Sequence, residues 1–183
     1  MKLGAILVMV RDTNMDIIDG IATKLDVRQF SSQEVTSEIK QSILEAARMT
    51  GTGLNTQHWR FILVEGKDRL ATLAEDSTSG GWVAGANFAI IVLTNPNYKF
   101  HMIDAGRVLQ NMQLAAWSHG VASGIFTGVK EEKLRRDFAI PNELNIALIA
   151  GFGYPAKKLV SKKSRAPLNE LVYYGRYGNA AIV

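Results

Sequence analysis

Cysteine does not occur in this chain. Disulfides, thiolate nucleophiles and cysteine-ligated metals are therefore excluded by inventory, and a reducing, cytoplasmic setting fits. The three histidines, His58, His101 and His119, stand far apart with no H-x-x-x-H or H-E-x-x-H spacing, so no metal site is expected of them. No serine sits in G-x-S-x-G, and no Walker or dinucleotide-fold glycine pattern follows a strand. Internal repeats and low-complexity tracts are also missing. The start, Met1 to Val10, carries one lysine and a short apolar run, but no small-x-small cleavage site, and Arg11-Asp12 follows. That run falls well short of the roughly 20 apolar residues needed to span a bilayer. We read it as a strand or arm packed on the domain, and expect no membrane association.

What is present suits one globular domain. The 183 residues are 47% hydrophobic and 21% charged, enough for an ample core. A formal net charge of +4 favours anionic partners, either a phosphate-bearing cofactor or a nucleic acid.

Periodicity lays out the elements. An opening helix is expected over 15–21 and a short extended piece over 27–30, ending at the turn formers Ser31-Ser32. Thr36 is the expected N-cap of an amphipathic helix over 37–49, because Val35, Ile39, Ile43, Ala46 and Ala47 recur at helical spacing. Phe61 to Val64 reads as a strand, Asp68 to Glu75 as a short helix, and the glycine-rich 77–85 as a loop without a predictable path. Phe88 to Leu93 is a continuous apolar run stopped by Asn95-Pro96, as expected of a strand buried on both faces. The longest helix is expected over 102–118 with Gly120 at its terminus. A strand at 122–126, a helix at 131–138 and a central strand at 146–152 complete the order. Helices alternating with few apolar strands imply a sheet covered on both faces.

Three segments concentrate polar and cationic side chains. Met49-Thr50-Gly51-Thr52-Gly53-Leu54 and Asn55-Thr56-Gln57-His58-Trp59-Arg60-Phe61 form a small-residue loop and an amide-rich turn feeding a strand. Such a loop exposes backbone N–H groups and sets Asn55 and Gln57 where they can hydrogen-bond a planar polar ligand. Lys24-Leu25-Asp26-Val27-Arg28-Gln29-Phe30 is one basic cluster. Lys162-Lys163-Ser164-Arg165-Ala166-Pro167-Leu168, with Lys157-Lys158 upstream, is another.

Together these segments resemble the nitroreductase family. The amide-rich turn is similar to that family's flavin-facing NxQPWxF, with His58 in the place of proline and Gly51 where a proline-serine pair usually begins. The first cluster resembles R-R-S-x-R-x-F, matched by Lys24 in charge and by Arg28 outright, with Leu25 and Asp26 departing. The late cluster resembles K-x-R-x-P-L. The likeness covers 15 to about 175, leaving 1–14 as an N-terminal extension before a single domain over 15–183.

The resemblance implies an α+β fold with a mixed, mainly antiparallel central sheet sandwiched by helices. It also implies an intertwined homodimer whose C-terminal segment extends over its partner. It further implies FMN as cofactor, NADH or NADPH as hydride donor, and a small organic acceptor such as a nitroaromatic or quinone. Carried over residue by residue, the FMN contacts are Lys24, Leu25, Asp26, Arg28, Thr52, Asn55, Thr127, Gly128, Lys163 and Arg165. Lys163 and Arg165 close on the phosphate and Arg28 approaches the flavin pyrimidine edge. Thr52 and Asn55 come from the second subunit, and Thr127-Gly128 offers a backbone N–H to N5.

Each has a plainer reading. Asp26 either turns away from the phosphate or pairs with Lys24 or Arg28 on a solvated turn. Trp59 is expected in the core, and Asp104 and Glu45 as isolated helical carboxylates facing solvent or capping neighbours. Two other functions stand beside the oxidoreductase: a flavin-fold protein that binds a ligand or partner without turnover, and a basic nucleic-acid binder using 157–165. The second lacks interleaved aromatics and a groove-reading helix.

Overall fold

The computed structural model describes residues 15–159 and 163–180. The arm expected at the N-terminus and Lys162 lie outside the described residues. Among the described residues, six α-helices and four strands follow in the order α1 (Ile17–Thr23), α2 (Ser37–Arg48), β1 (Arg60–Glu65), α3 (Lys67–Glu75), β2 (Phe88–Thr94), α4 (His101–Ser118), β3 (Ala122–Phe126), α5 (Glu131–Asp137), β4 (Asn145–Gly153) and α6 (Leu168–Leu171). Within the described residues the expected helices and strands form, with ends moved by one or two residues. The opening helix starts at Ile17 because the Asp16 carboxylate caps it, accepting from the Ile18 N–H. Thr36 caps α2 as expected, its hydroxyl accepting from the Ile39 N–H.

The sheet runs β1-β2-β4-β3, every neighbouring pair antiparallel. A parallel bridge between Asp26 and Ser123 adds the 26–30 segment to the β3 edge, where the Val27 N–H donates to the Ser123 carbonyl at 2.8 Å. The sheet is thus mixed but mainly antiparallel, the expected α+β arrangement. The apolar runs divide by strand alternation. Phe88, Ile90 and Val92 of β2 face one way with Phe152, Ala150 and Leu148 of β4, into a core closed by α2 and α4. Ala89, Ile91 and Leu93 face the other way with Ile149, into a core closed by α3 and α5. Register passes from Val92–Leu148 to Leu93–Ile146, so Ala147 is an extra residue bulged into β4.

The loop over 77–85 resolves into a one-turn 3-10 helix, Gly81–Gly85, whose Trp82 lies across the sheet. The notch beneath Trp82 is made of glycine: a Cβ on Gly151 would come within 2.8 Å of the indole, and one on Gly124 within 2.9 Å. No helix among the described residues is long and apolar enough to cross a membrane.

Candidate functional site

Two segments from opposite ends of the chain meet against α4. The end of α1 and the turn after it contribute Ile21, Ala22, Lys24, Leu25 and Asp26, and the late segment contributes Lys163, Ser164 and Arg165. With Gln110 of α4 they wall a cleft of about 880 Å³. The remote cations Lys24, Lys163 and Arg165 thus share one cavity, along with Leu25 and Asp26.

Asp26 does not turn away. Its carboxylate takes the Lys24 ammonium at 2.6 Å, the plainer of the two arrangements expected. The pair is held from α4 by Gln113, whose Oε1 accepts from Lys24 Nζ at 2.9 Å and whose Nε2 donates to Asp26 Oδ1 at 3.3 Å and to the Ser123 hydroxyl at 3.0 Å. Gln110 and Gln113 stand three residues apart, on one helix face. Sequence reasoning passed over both, although two glutamines beside an apolar stripe are a readable signal.

Lys163 donates to the Ile21 carbonyl, tying the late segment to α1. Burial holds its ammonium below the usual lysine range, and the neighbouring Arg165 and Lys24 cations push the same way. Their mutual repulsion means that the cleft favours an anion.

The remaining expected site residues lie outside this cleft. Arg28 leaves it, its guanidinium 5.9 Å from the centre of the Trp82 ring. Thr127 and Gly128 follow β3 and pack on the loop before Trp82. The Gly128 carbonyl accepts from the Thr78 N–H, and a Cβ on Gly128 would fall 2.4 Å from the Thr78 hydroxyl. A side chain at 128 would thus have to displace the Thr78 and Ser79 hydroxyls. Thr52 and Asn55 sit on the loop after α2, where the Thr52 hydroxyl accepts from the Gln57 N–H at 3.0 Å. The Asn55 and Gln57 side chains bond each other, at 3.3 Å.

That loop is unusual in its backbone. Leu54, Asn55 and Gln57 all have φ near +50° (51°, 54° and 46°), and left-handed conformations cost non-glycine residues about 1 kcal/mol or more each. What holds it is Asp104. Expected as an isolated helical carboxylate, Asp104 is instead buried, its side chain 2% exposed. Oδ2 accepts from the Gly53 N–H at 3.0 Å and meets His58 Nε2 at 3.2 Å, while Oδ1 accepts from Arg107 at 3.3 Å. The Asn95 N–H donates to His58 Nδ1, so Nε2 carries the proton given to Asp104. His58 is stacked on Tyr98 at 5.2 Å. Trp59 is buried in the core, as expected, and Glu45 is exposed and paired with Arg48.

Comparisons with known proteins identify the family and the fold. The Nitroreductase family model matches residues 21–93 and 77–154. A relative from Methanothermobacter thermautotrophicus, provisionally named an NADH dehydrogenase/NAD(P)H nitroreductase, is 30% identical over 79% of this chain and 80% of its own. A relative from Archaeoglobus fulgidus with the same name is 30% identical over 74% and 83%. Among solved structures, a provisionally named nitroreductase from Desulfovibrio desulfuricans in complex with FMN superposes with a TM-score of 0.77. It is 28% identical, and the match covers 85% of this chain and 94% of that one. An FMN-dependent nitroreductase from Clostridium difficile has the same fold at a TM-score of 0.81 and 20% identity, over 88% of this chain and 100% of its own. The chain belongs to the nitroreductase family of oxidoreductases.

Proposed function

We propose that the protein is a homodimeric, FMN-dependent oxidoreductase that uses NADH or NADPH to reduce a small organic acceptor. The carrying observation is the convergence of Lys24, Lys163 and Arg165 in one cleft, where Lys163 is disfavoured as a cation first by burial and then by its neighbouring cations. A phosphate dianion answers that donor set, since it relieves the repulsion and gains charge-assisted hydrogen bonds. When bound, FMN would supply the hydride-transfer chemistry between nicotinamide and acceptor. The chain binds, orients and tunes. Lys163 and Arg165 hold the phosphate, Lys24 and Leu25 line its approach, and Gln113 fixes the Lys24 ammonium. By the family likeness, Arg28 would hold positive charge for the pyrimidine edge of the ring, and Thr127-Gly128 would offer backbone toward it.

Support for the dimer comes from exposed apolar side chains. Ile17, Ile18 and Ile21 of α1, Ile103 of α4, and Leu54, 90% exposed at the tip of the strained loop, await cover. A second copy brings Thr52 and Asn55 of its own loop to the cofactor. Cytoplasmic placement is part of the same reading.

Titration of the apoprotein with FMN tests it, followed by NADH or NADPH under exclusion of oxygen. Stoichiometric binding and loss of the oxidised flavin absorbance are expected. Bound flavin that neither nicotinamide reduces would transfer the protein to the class of flavin-fold binders without turnover.

Asp26 modulates this site. Its carboxylate stands where the family has serine and neutralises Lys24. Asp26→Ser removes a negative charge from beside the phosphate and frees the ammonium, so FMN affinity should rise several-fold, up to roughly tenfold. The apoprotein should lose stability, because the largely buried Lys24 loses its ion partner. Isothermal calorimetry and thermal melts of both forms read the two effects. Unaltered affinity would show that the carboxylate does not face the phosphate.

A further inference from the structure

Four lysines among the described residues are partly buried, Lys24, Lys40, Lys133 and Lys163. The first three have carboxylate partners, Asp26, Glu65 and Asp76 in turn. Lys163 has none among the described residues. Its Nζ donates instead to the uncharged carbonyl of Ile21, which lines the same cleft as Lys24 and Arg165. Burial, then the Arg165 and Lys24 cations, hold the Lys163 ammonium below the usual lysine range, and Asp26 opposes them least strongly. Lys133, hydrogen-bonded to Asp76, is held above that range. A desolvated lysine beside other cations is an activated nucleophile, since its neutral amine can keep a hydrogen bond to a carbonyl and still present a lone pair. Two positions on, Arg165 gives one N–H to the Ser164 carbonyl at 2.6 Å and has the rest of its fork for an anion.

We infer that Lys163 is a covalent modification site, to which acyl phosphates transfer their acyl group and so switch off anion binding in this cleft. Arg165 docks the phosphate end of the donor and brings the acyl carbon to the Lys163 amine. Nitrogen bonds to that carbon, the carbon–oxygen bond to phosphate breaks with its electron pair leaving on the phosphate, and the proton shed by nitrogen goes to solvent. The amide formed carries no charge, so the cleft loses one of its cations. The modification needs only the cleft's affinity for phosphate. That it lowers FMN occupancy rests on the oxidoreductase reading above.

Timed incubation of the full chain with acetyl phosphate, with and without FMN, followed by peptide mass spectrometry, tests it. Without FMN, Lys163 should be acetylated roughly tenfold faster than the exposed Lys157 and Lys158, the gain from one charge-assisted contact to the donor's phosphate. Inorganic phosphate should suppress that lead, and Arg165→Gln should remove it. N-acetoxysuccinimide, which acylates amines but carries no phosphate, should give a clearly smaller lead. Equal or slower reaction at Lys163 overturns the assignment, and so does a lead that survives inorganic phosphate and Arg165→Gln or is as large with the uncharged donor. FMN should protect Lys163, and Lys163→Gln, which copies the neutral amide, should lose roughly tenfold in FMN affinity. A lead at Lys163 that bound FMN leaves untouched would let the modification stand and overturn the placing of the flavin phosphate instead.

Discussion

Asp104→Leu should destabilise the protein by about 2–6 kcal/mol, the cost of leaving two buried N–H donors without an acceptor. The side chain is 2% exposed and serves three donors, the Gly53 N–H, His58 Nε2 and Arg107. Leucine fills the volume but accepts nothing. The Gly53 N–H and the His58 N–H then remain buried without acceptors, each costing about 1–3 kcal/mol. The loss of Arg107's partner adds less, since that cation can turn to water. Because the same contacts restrain three residues at positive φ, the loop from Thr52 to Gln57 should loosen with the core. Asp104→Asn keeps one carbonyl acceptor in nearly the same place and should cost roughly half as much. Urea unfolding reads the difference as a lowered midpoint at constant m-value. A leucine variant within about 1 kcal/mol of wild type would mean that the carboxylate does not carry the loop.

The network shows where sequence reading stops. Asp104 lies on the amphipathic α4, and helical spacing alone assigns a lone acidic residue there to solvent or to a cap. Its three partners come from positions 53, 58 and 107, and only folding brings the first two to the helix. Gly53 is equally silent in sequence. In the structure a Cβ there would sit 2.6 Å from the Phe100 ring, so the loop's path depends on a residue 47 positions away. By contrast, the helix over 37–48 was legible because cap, charge and apolar spacing agree locally. Strand β2 was legible as a strand buried on both faces. Which of its side chains meets α4 and which meets α3 was not, since alternation within a wholly apolar run carries no contrast. The bulge at Ala147 has no composition signal at all.

The cationic cleft falls between these cases. Spacing within 157–168 or within 24–28 cannot join the two clusters, and a lysine-rich loop read alone is a solvated surface. Likeness to a family supplied the pairing, and the structure places Lys24, Lys163 and Arg165 around one cavity. What neither motif discloses is the role of α4, where Gln113 bonds Lys24, Asp26 and Ser123 together. Asp26 also belongs to the sheet edge through its bridge to Ser123, so its carboxylate is aimed by backbone pairing as well as by charge.

Lys163→Ala combined with Arg165→Ala should weaken FMN binding at least roughly a hundredfold, the combined effect of losing two charge-assisted contacts to a dianion. Riboflavin, which carries the same ring without the phosphate, separates this effect from general damage to the cavity: its affinity should stay within about twofold of wild type. The sign of the effect on the apoprotein is also informative. Lys163 is held below the usual lysine range by burial and by the Arg165 and Lys24 cations, so its charged form is disfavoured in the folded state. Its hydrogen bond to the Ile21 carbonyl works the other way, and the melting temperature of the empty variant should therefore change little or rise slightly, while FMN should raise it far less than in wild type. Raising salt should weaken FMN binding to wild type more steeply than to the double variant, because fewer cations remain to be screened. Fluorimetric titration of both flavins against both proteins supplies all four affinities. Parallel loss of FMN and riboflavin would place the phosphate elsewhere and leave the cationic cleft without its ligand.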